Sequence, residues 1–290
     1  MLSRILVASD ASEASDHVME CVAALRHVGS RHATLVHVFH VRDVGGLYES
    51  LEHQVRPVLE RQAARLRDAG FEVDIETPLG LPVHELSRIA LERQAGLMVA
   101  GSHGASLARE KLLGATASEL LHRLQLPLLL IRLQITEENG GARCRAICQG
   151  LFSSLLFPTD FSDNAAHAFL YLEHLVREAH SRVVLLHVQD RTKIERHLRD
   201  RLEEFNHIDE ERLAGMKSRL EQCGAAEVTA EIPYGVPSAE ILDRSRKGDC
   251  SLIVMGAQGR GYFEEVFLGS VAGHVARLAP LPVLFVPALR

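Results

Sequence analysis

The chain has 290 residues, 47% hydrophobic and 24% charged, a balance typical of globular domains that bury their own cores. Its formal net charge of −6 disfavours general nucleic-acid binding, which usually needs a basic face. The sequence has no run of 18 apolar residues and no basic segment leading into an apolar one, so we expect neither a membrane span nor a signal peptide.

Apolar runs and helical spacing predict five strands alternating with four helices in the first half of the chain. The strands are predicted over 3–9, 33–39, 71–76, 96–100 and 128–133, and the helices over 14–28, 48–68, 82–93 and 116–124. This alternation predicts an α/β fold, a mostly parallel open sheet with helices on both faces.

The second half repeats that order after a connection. Strands are predicted over 155–159, 182–188, 228–233, 252–255 and 282–287, and helices over 165–178, 194–222, 239–246 and 270–278. The turn residues around Asn139 and Gly140 indicate a linker, although the apolar part 146–152 is also compatible with a strand or packed segment. We therefore expect domains over 1–133 and 154–290, joined by 134–153.

A spaced glycine motif confirms the internal repeat at the level of sequence. Gly256, Gly259, Gly269 and Ser270 follow one predicted strand, and Gly101, Gly104, Gly114 and Ala115 follow another, 155 residues earlier. Nearer the start of each half, Asp10 and Val38 precede Asp160 and Val188 by 150 residues. Matching loops in matching order indicate a duplicated domain, with about five extra residues in the second copy.

The glycine loop joins a predicted strand to the start of a predicted helix. Such a place favours anions, because backbone N–H groups and the positive end of the helix dipole face the ligand. Glycine allows close approach of the backbone, and Ser270 is expected to act as N-cap and to offer a hydroxyl to phosphate. A glycine-rich turn without a ligand remains the alternative.

Other candidate residues are predicted at the same edge of the sheet, where ligands bind in open parallel sheets. Asp160 ends the first strand of the second copy, and Val188 and Met255 end two others. The carboxylate suits ribose hydroxyls or a base amine, and the apolar pair suits a flat base. The alternatives are an N-cap role for Asp160 and core packing for Val188 and Met255.

These motifs make the chain resemble a tandem universal stress protein. Gly256, Gly259, Gly269 and Ser270 match the ATP-binding members' glycine motif, Pro158-Thr159-Asp160 matches their Pro-x-Asp, and His187-Val188 matches their His-Val. The resemblance implies a Rossmann-like fold of the adenine nucleotide α-hydrolase type. It implies ATP, AMP or ADP, with or without Mg²⁺, with adenine near Asp160 and Val188, ribose near Gly256, and phosphates on Gly259, Gly269, Ser270 and Val271.

The first copy departs from the family pattern. Ala115 replaces the hydroxyl residue, and Ala8-Ser9-Asp10 lacks the proline. Asp10, Val38, Gly101, Gly104 and Gly114 remain, so we expect a weak or base-only site there. The family also pairs its last strands across a two-fold axis, which implies an intrachain pseudo-dimer and leaves a homodimer of the chain open.

The leading functional hypothesis is a nucleotide-binding stress or regulatory protein with at most slow ATP hydrolysis. P-loop, Gly-x-Ser-x-Gly and Gly-x-Gly-x-x-Gly motifs are absent from the sequence, which disfavours the enzymes that use them. The alternatives are a nucleotide-free module that serves a protein partner and a metal-binding module using the 16 histidines. The five scattered cysteines are typical of a reducing cytoplasm, and Cys144 and Cys148 have no second pair at zinc-site spacing.

Overall fold

The computed structural model describes residues 1–40, 48–102, 113–138, 141–146, 148, 150–191, 202–259 and 268–289. These residues form two compact units, Met1–Gln149 and Gly150–Arg290. Each unit is an α/β domain with five parallel strands, so the predicted fold class is confirmed.

The first domain alternates strands with helices along the chain. Its strands are β1 (Arg4–Ala8), β2 (His32–Val36), β3 (Phe39–His40), β4 (Glu72–Glu76), β5 (Leu79–Gly80), β6 (Leu97–Gly101), β7 (Leu128–Ile131), β8 (Leu133–Glu138) and β9 (Gly141–Ala146). Its helices are α1 (Glu13–Ala24), which continues as a 3₁₀ turn over Leu25–Val28, α2 (Tyr48–Asp68), α3 (Pro82–Glu92) and α4 (Ala115–His122).

The second domain follows the same order. Its strands are β10 (Ser154–Pro158), β11 (Arg182–Leu186), β12 (Gln189–Asp190), β13 (Glu227–Glu231), β14 (Tyr234–Gly235), β15 (Leu252–Gly256) and β16 (Val283–Val286). Its helices are α5 (Asp163–Ala179), α6 (Leu202–Gln222), α7 (Pro237–Ser245) and α8 (Ser270–Leu278).

The strand order determines where each domain has its crevice. The first sheet runs β7-β6-β1-β2-β4 and the second runs β16-β15-β10-β11-β13. The chain moves outward from β1 or β10 in one direction and then crosses to the other side at β6 or β15. The point where strand order reverses therefore lies between β1 and β6 in one domain and between β10 and β15 in the other, and ligands bind at such points.

The core is made by strands that are apolar along their whole length. Leu6, Val7 and Leu128 in the first domain, and Phe157 and Val254 in the second, are fully buried. Strands buried on both faces need helices on both sides of the sheet, and the helices do pack as pairs, α1 with α2 and α3 with α4. The second domain pairs α5 with α6 and α7 with α8.

The segment expected to be a linker contains a β-hairpin. Leu133–Glu138 pairs antiparallel with Gly141–Ala146, and β9 packs against α1. The predicted strand 128–133 is in fact two strands, because the ladder of β7 stops at Ile131 and β8 starts at Leu133. Arg132, between them, is buried, and burial lowers the pKa of its guanidinium.

Two of the cysteines form a disulfide, which corrects the interpretation of all five as scattered thiols. Cys21 of α1 is bonded to Cys148, 127 residues further along the chain. Both belong to the first domain. Cys148 is thus engaged as a disulfide sulfur and does not act as a thiolate ligand beside Cys144.

Candidate functional site

The reversal point of the second domain brings an acidic residue next to a glycine loop. β10 and β15 are neighbours, with Leu155 opposite Leu252 and Leu156 opposite Ile253. Asp160 follows β10, and Gly256 ends β15. The two residues therefore emerge side by side at the carboxyl edge of the sheet.

Asp160 shapes the turn before α5 without capping the helix. Its Oδ1 accepts a hydrogen bond from the N–H of Ser162 at 3.1 Å. The N-cap is Ser162, whose Oγ accepts from the N–H of Ala165 at 3.2 Å. The N-cap interpretation of Asp160 is therefore wrong, since the chain turns through Phe161, at a φ of +59°, before the helix begins.

The other carboxylate oxygen of Asp160 points at the glycine loop. A Cβ placed on Gly259 would lie 2.9 Å from Oδ2 of Asp160. On Gly256 it would lie 3.2 Å from the carbonyl oxygen of Gln258 and 3.3 Å from that of Asn164. Side chains at Gly256 and Gly259 would thus crowd the edge of the sheet, and glycine keeps the backbone accessible there.

The two ends of the glycine loop are joined by a backbone hydrogen bond. The N–H of Gly269 donates to the carbonyl oxygen of Ala257 at 2.8 Å. A Cβ on Gly269 would lie 3.6 Å from the nitrogen of Gly259. The start of α8 therefore lies beside Gly259, so the positive end of a helix dipole faces the region of Asp160.

The structure corrects the expectation that Ser270 is the N-cap of its helix. The N-cap of α8 is Gly269, and Ser270 is the first residue of the helix. The Ser270 side chain is exposed in the first turn of the helix. Val271 follows within the first turn and is half-buried.

The remaining predicted residues of this site differ in exposure. Pro158 ends β10, and Thr159 is buried, its Oγ1 accepting from the N–H of Phe161 at 3.1 Å. Val188 follows β11 and is half-buried. Met255 is only 5% exposed and lies opposite Phe285 in the sheet, as the core-packing interpretation expects.

The first domain has a pocket at its own reversal point, with a volume of about 280 Å³. Of the predicted residues it includes Asp10, Val38, Gly101 and Gly114, whereas Gly104 lies outside the described residues. The lining residues are Ala8, Ser9, Asp10, Ser15, Val18, Val36, His37, Val38, Leu86, Ala100, Gly101, Gly114, Ala115, Thr116 and Ala117. Gly114 is the N-cap of α4 and Ala115 its first residue, in the same positions as Gly269 and Ser270.

Ser9, Ser15 and His37 line the first pocket, and the sequence analysis gave none of them a role in the site. Ser9 Oγ donates to Oε1 of the fully buried Gln62 at 2.8 Å, and Gln62 Nε2 donates to Asp16 Oδ1 at 2.6 Å and to Ser15 Oγ at 3.0 Å. His37 Nδ1 lies 3.0 Å from the carbonyl oxygen of Ser9. Burial lowers the pKa of His37, while the Ser9 carbonyl and Asp10 act in the opposite direction. Gln62 lies on the inner face of a polar helix, a place that periodicity alone assigns to apolar residues.

A second missed cluster lies in the second domain. His187, which directly precedes Val188, contacts Thr159 and Asp209. The sequence analysis used His187 only in the His-Val match, and nothing in the predicted helix 194–222 marked Asp209 as its partner.

Within the described ranges, no group of three or more His, Cys, Asp and Glu side chains has the arrangement of a metal site. None of the described helices is long and apolar enough to cross a membrane.

Two doubly wound domains, each with a helix N-terminus and a glycine at its reversal point, define a tandem α/β protein. The model of the universal stress protein family matches residues 1–132 and 152–287. The chain therefore belongs to the universal stress protein family, with one family domain in each half.

Individual relatives agree with this assignment. A universal stress protein of Methanocaldococcus jannaschii is 30% identical over 155 residues, covering 47% of this chain and 95% of the relative. One from Mycolicibacterium smegmatis is 26% identical over 300 residues, covering 97% and 96%. The crystal structure of a universal stress protein from Archaeoglobus fulgidus covers 99% of both chains with a TM-score of 0.76 at 23% identity, a likeness of fold.

Proposed function

We propose that this protein binds an adenine nucleotide, ATP or its products AMP and ADP, with or without Mg²⁺, mainly in the second domain. The observation that carries the proposal is the meeting of Asp160, Gly259 and the start of α8 at the reversal point of the sheet. A carboxylate suits ribose or a base amine, and a helix N-terminus with glycine suits phosphate. We propose that it has a regulatory role in the stress response and acts in the cytoplasm.

The proposed pose follows the order of the elements. Adenine lies near Asp160 and Val188, and ribose lies near Gly256. The phosphates lie on the backbone of Gly259 and Gly269 and on the first turn of α8, where Ser270 and Val271 stand. Pro158 and Thr159 set the direction of Asp160, since the Thr159 side chain accepts a hydrogen bond from the turn.

We propose a weaker or phosphate-free site in the first domain. Its pocket of about 280 Å³ lies just below the range of about 300–1,000 Å³ typical of drug-sized ligands, so it suits a base or nucleoside. Ala115, at the position of Ser270, has no hydroxyl to offer a phosphate. Losing one charge-assisted hydrogen bond lowers affinity by roughly one to two decades.

A second candidate function, a nucleotide-free module for a protein partner, is favoured by one observation. Leu79 and Leu81 are 47% and 55% exposed, and Tyr234 and Val236, at the equivalent positions of the second domain, are 40% and 38% exposed. Matching apolar pairs, each with one residue in β5 or β14 and one just after it, would suit partner surfaces. Under this candidate the sites of both domains stay empty and the protein would retain no nucleotide.

Mass spectrometry of the small molecules released by denaturing the unheated, purified protein separates the two functions. We expect an adenine nucleotide at close to one per chain. Calorimetric titration of nucleotide-free protein with ATP then gives the number of sites. No released nucleotide and no heat with ATP, ADP or AMP would overturn the proposed function.

A further inference from the structure

A buried hydrogen-bond network adjoins the pocket of the first domain. Gln62 of α2 is fully buried, and its Oε1 accepts a hydrogen bond from Ser9 Oγ at 2.8 Å. Its Nε2 donates to Asp16 Oδ1 at 2.6 Å and to Ser15 Oγ at 3.0 Å. Ser9 and Ser15 are buried and line the pocket. The network thus connects helix α2 with two hydroxyl groups of the pocket.

The Asp16 carboxylate fixes which way round the Gln62 amide lies. A carboxylate accepts hydrogen bonds and donates none, so the amide nitrogen faces Asp16 and the amide oxygen faces Ser9. Reversing the amide would bring two acceptor oxygens to 2.6 Å. The guanidinium groups of Arg61 and Arg65 lie 3.5 and 4.0 Å from the other oxygen of the same carboxylate. Residues outside the pocket therefore set the orientation of Gln62.

This orientation commits the hydrogens of both hydroxyl groups to the protein. The Ser9 O–H donates to Gln62, and the Ser9 oxygen accepts from the N–H of Ala11 at 3.1 Å. The Ser15 O–H donates to the carbonyl oxygen of Ser12 at 2.8 Å, and the Ser15 oxygen accepts from Gln62. A hydroxyl oxygen has two lone pairs. Each of the two oxygens, 3.1 Å apart, thus retains one lone pair for a ligand.

The rest of the pocket lining combines acceptors with apolar side chains. Asp10, next to Ser9 in the chain, presents a carboxylate, which only accepts hydrogen bonds. His37 Nδ1 lies 3.0 Å from the Ser9 carbonyl oxygen. Thr116 lies in the first turn of α4, the place assigned to phosphate in the second domain. Apolar lining comes from Val18, Val36 and Leu86. This lining suits a flat ring whose edge carries N–H groups.

The second domain has no equivalent of this network. Ser15 is the third residue of α1, and the third residue of α5 is Ala165. Gln62 is the fifteenth residue of α2, and the fifteenth residue of α6, a helix of the same length, is Met216. An amide and a hydroxyl group are thus replaced by apolar side chains. The two domains therefore offer different contacts to a ligand.

We propose that Gln62 determines the ligand specificity of the first domain, whose pocket takes a nucleobase or nucleoside with an amino group and discriminates against the oxo analogue. The inference rests on the proposed function, because it names the class of ligand for the first-domain site. An N–H aimed between the oxygens of Ser9 and Ser15 can donate to both. A carbonyl oxygen in the same place would face only lone pairs, because Gln62 holds the Ser9 hydrogen.

Methyl NMR of the intact protein, titrated separately with adenosine and inosine, tests the proposal. The signals of Val18 and Leu86 report on the first pocket. Adenosine has an amino group at the position where inosine has a carbonyl. We expect adenosine to bind there roughly tenfold more tightly than inosine, the effect of one hydrogen bond gained or left unmade. Equal affinities for the two nucleosides, or no shift with either, would overturn the proposal.

Gln62→Met isolates the role of the amide. Methionine has a side chain of similar length and is the residue at this position of α6. Without Oε1 the Ser9 hydroxyl is free to donate to a ligand, so inosine affinity should rise and the preference for adenosine should disappear. A purely structural role of Gln62 would lower both affinities together, and an unchanged ratio in this variant would contradict the specificity role.

Glu60→Gln is the matched control. Glu60 lies on the same helix, in a half-exposed pair with Arg56. This variant should keep the wild-type ratio of the two affinities.

Ser15→Ala provides a second test if Gln62→Met fails to fold. It removes one of the two acceptor oxygens, so adenosine should bind more weakly while inosine affinity changes little. The preference for adenosine should therefore narrow, and a preference equal to that of the wild type would count against the proposal.

Titration with ATP separates failure of this inference from failure of the proposed function. The methyl signals of Val188 and Val271 report on the second-domain site. Preference for adenosine at Val18 and Leu86 without any ATP response at Val188 and Val271 would overturn only nucleotide binding by the second domain. An ATP response there, with no preference in the first pocket, would overturn only the role of Gln62.

Discussion

The carboxylate of Asp160 lies against the α-carbon of Gly259, so close that a Cβ there would be 2.9 Å from Oδ2. This contact connects the turn after β10 with the loop after β15, across the point where strand order reverses. The carboxylate is the end of a short side chain and can rotate away from an added methyl group. Its position is therefore easier to change than the fold around it.

The first prediction is that Gly259→Ala weakens ATP binding with little change in stability. The new methyl group displaces the Asp160 carboxylate, which costs a hydrogen bond to the nucleotide and about tenfold in affinity. Titration calorimetry measures the affinity, and thermal unfolding measures the stability. Gly215→Ala is the control, since Gly215 lies in α6 with open space around its α-carbon. The Gly215→Ala variant should raise the free energy of unfolding by about 0.5–1 kcal/mol and leave ATP affinity unchanged. If the Gly259→Ala protein binds ATP as tightly as the wild type, the contact between Asp160 and Gly259 has no role in binding.

The second prediction concerns the first residue of the glycine-loop helix in each domain. Ser270→Ala should weaken ATP binding by roughly one to two decades, because it removes a hydroxyl at the mouth of α8. Ala115→Ser, at the same place on α4, should strengthen or create binding in the first domain. Calorimetric titration resolves the two sites. Binding of ATP to the first domain alone would show that the ranking of the sites is reversed.

The third prediction concerns the disulfide between Cys21 and Cys148. It closes a loop 127 residues long, so reduction or Cys148→Ser should lower the free energy of unfolding of the first domain by about 2–5 kcal/mol. Scanning calorimetry with and without a dithiol reductant measures the shift. Cys223→Ser, at a half-buried free thiol in the second domain, is the control. If reductant leaves the unfolding transition of the first domain unchanged, the disulfide contributes nothing to the stability of that domain.

Much of the fold was predictable because local patterns and tertiary structure agree. The helices Tyr48–Asp68 and Ser270–Leu278 were predicted with their observed bounds, since apolar spacing and the flanking glycines act over a few residues. The order of strands and helices followed from the same signals. The family resemblance then supplied the doubly wound topology.

The unpredicted features depend on contacts between distant residues. The break between β7 and β8 at Arg132 lies inside an apolar run whose pattern predicts one strand. The disulfide partner of Cys21 depends on how β9 packs against α1. The sequence pattern does not distinguish Asp209 from the other acidic residues of its helix, and only the fold brings it next to His187. Ser162 and Asp160 both have capping chemistry, and the turn at Phe161 decides between them.

The fourth prediction concerns a buried arginine in α7. The Arg244 side chain is 7% exposed and donates to both carboxylate oxygens of Asp249, at 2.6 and 2.9 Å, and to Glu231 at 2.9 Å. These bonds raise the pKa of Arg244 and lower the pKa of Asp249, chiefly through the hydrogen bonds between the two. The pair therefore contributes stability only while Asp249 is ionised.

The sign of the pH dependence follows from the lowered pKa of Asp249. Its contribution is complete above the pKa of an unfolded aspartate, about 3.9, and is lost as the pH falls through the lower folded pKa. Asp249→Asn should thus destabilise the second domain at neutral pH, and its deficit should shrink as the pH falls below about 4. Because Asp249 is half exposed, solvent screens the pair and the deficit should be modest, about 1 kcal/mol or less. Urea unfolding of wild type and variant at neutral and acidic pH measures it, with Asp243→Asn, at an exposed pair with Arg246, as control. A deficit that stays constant down to low pH would show that the loss comes from packing rather than from the charge on Asp249.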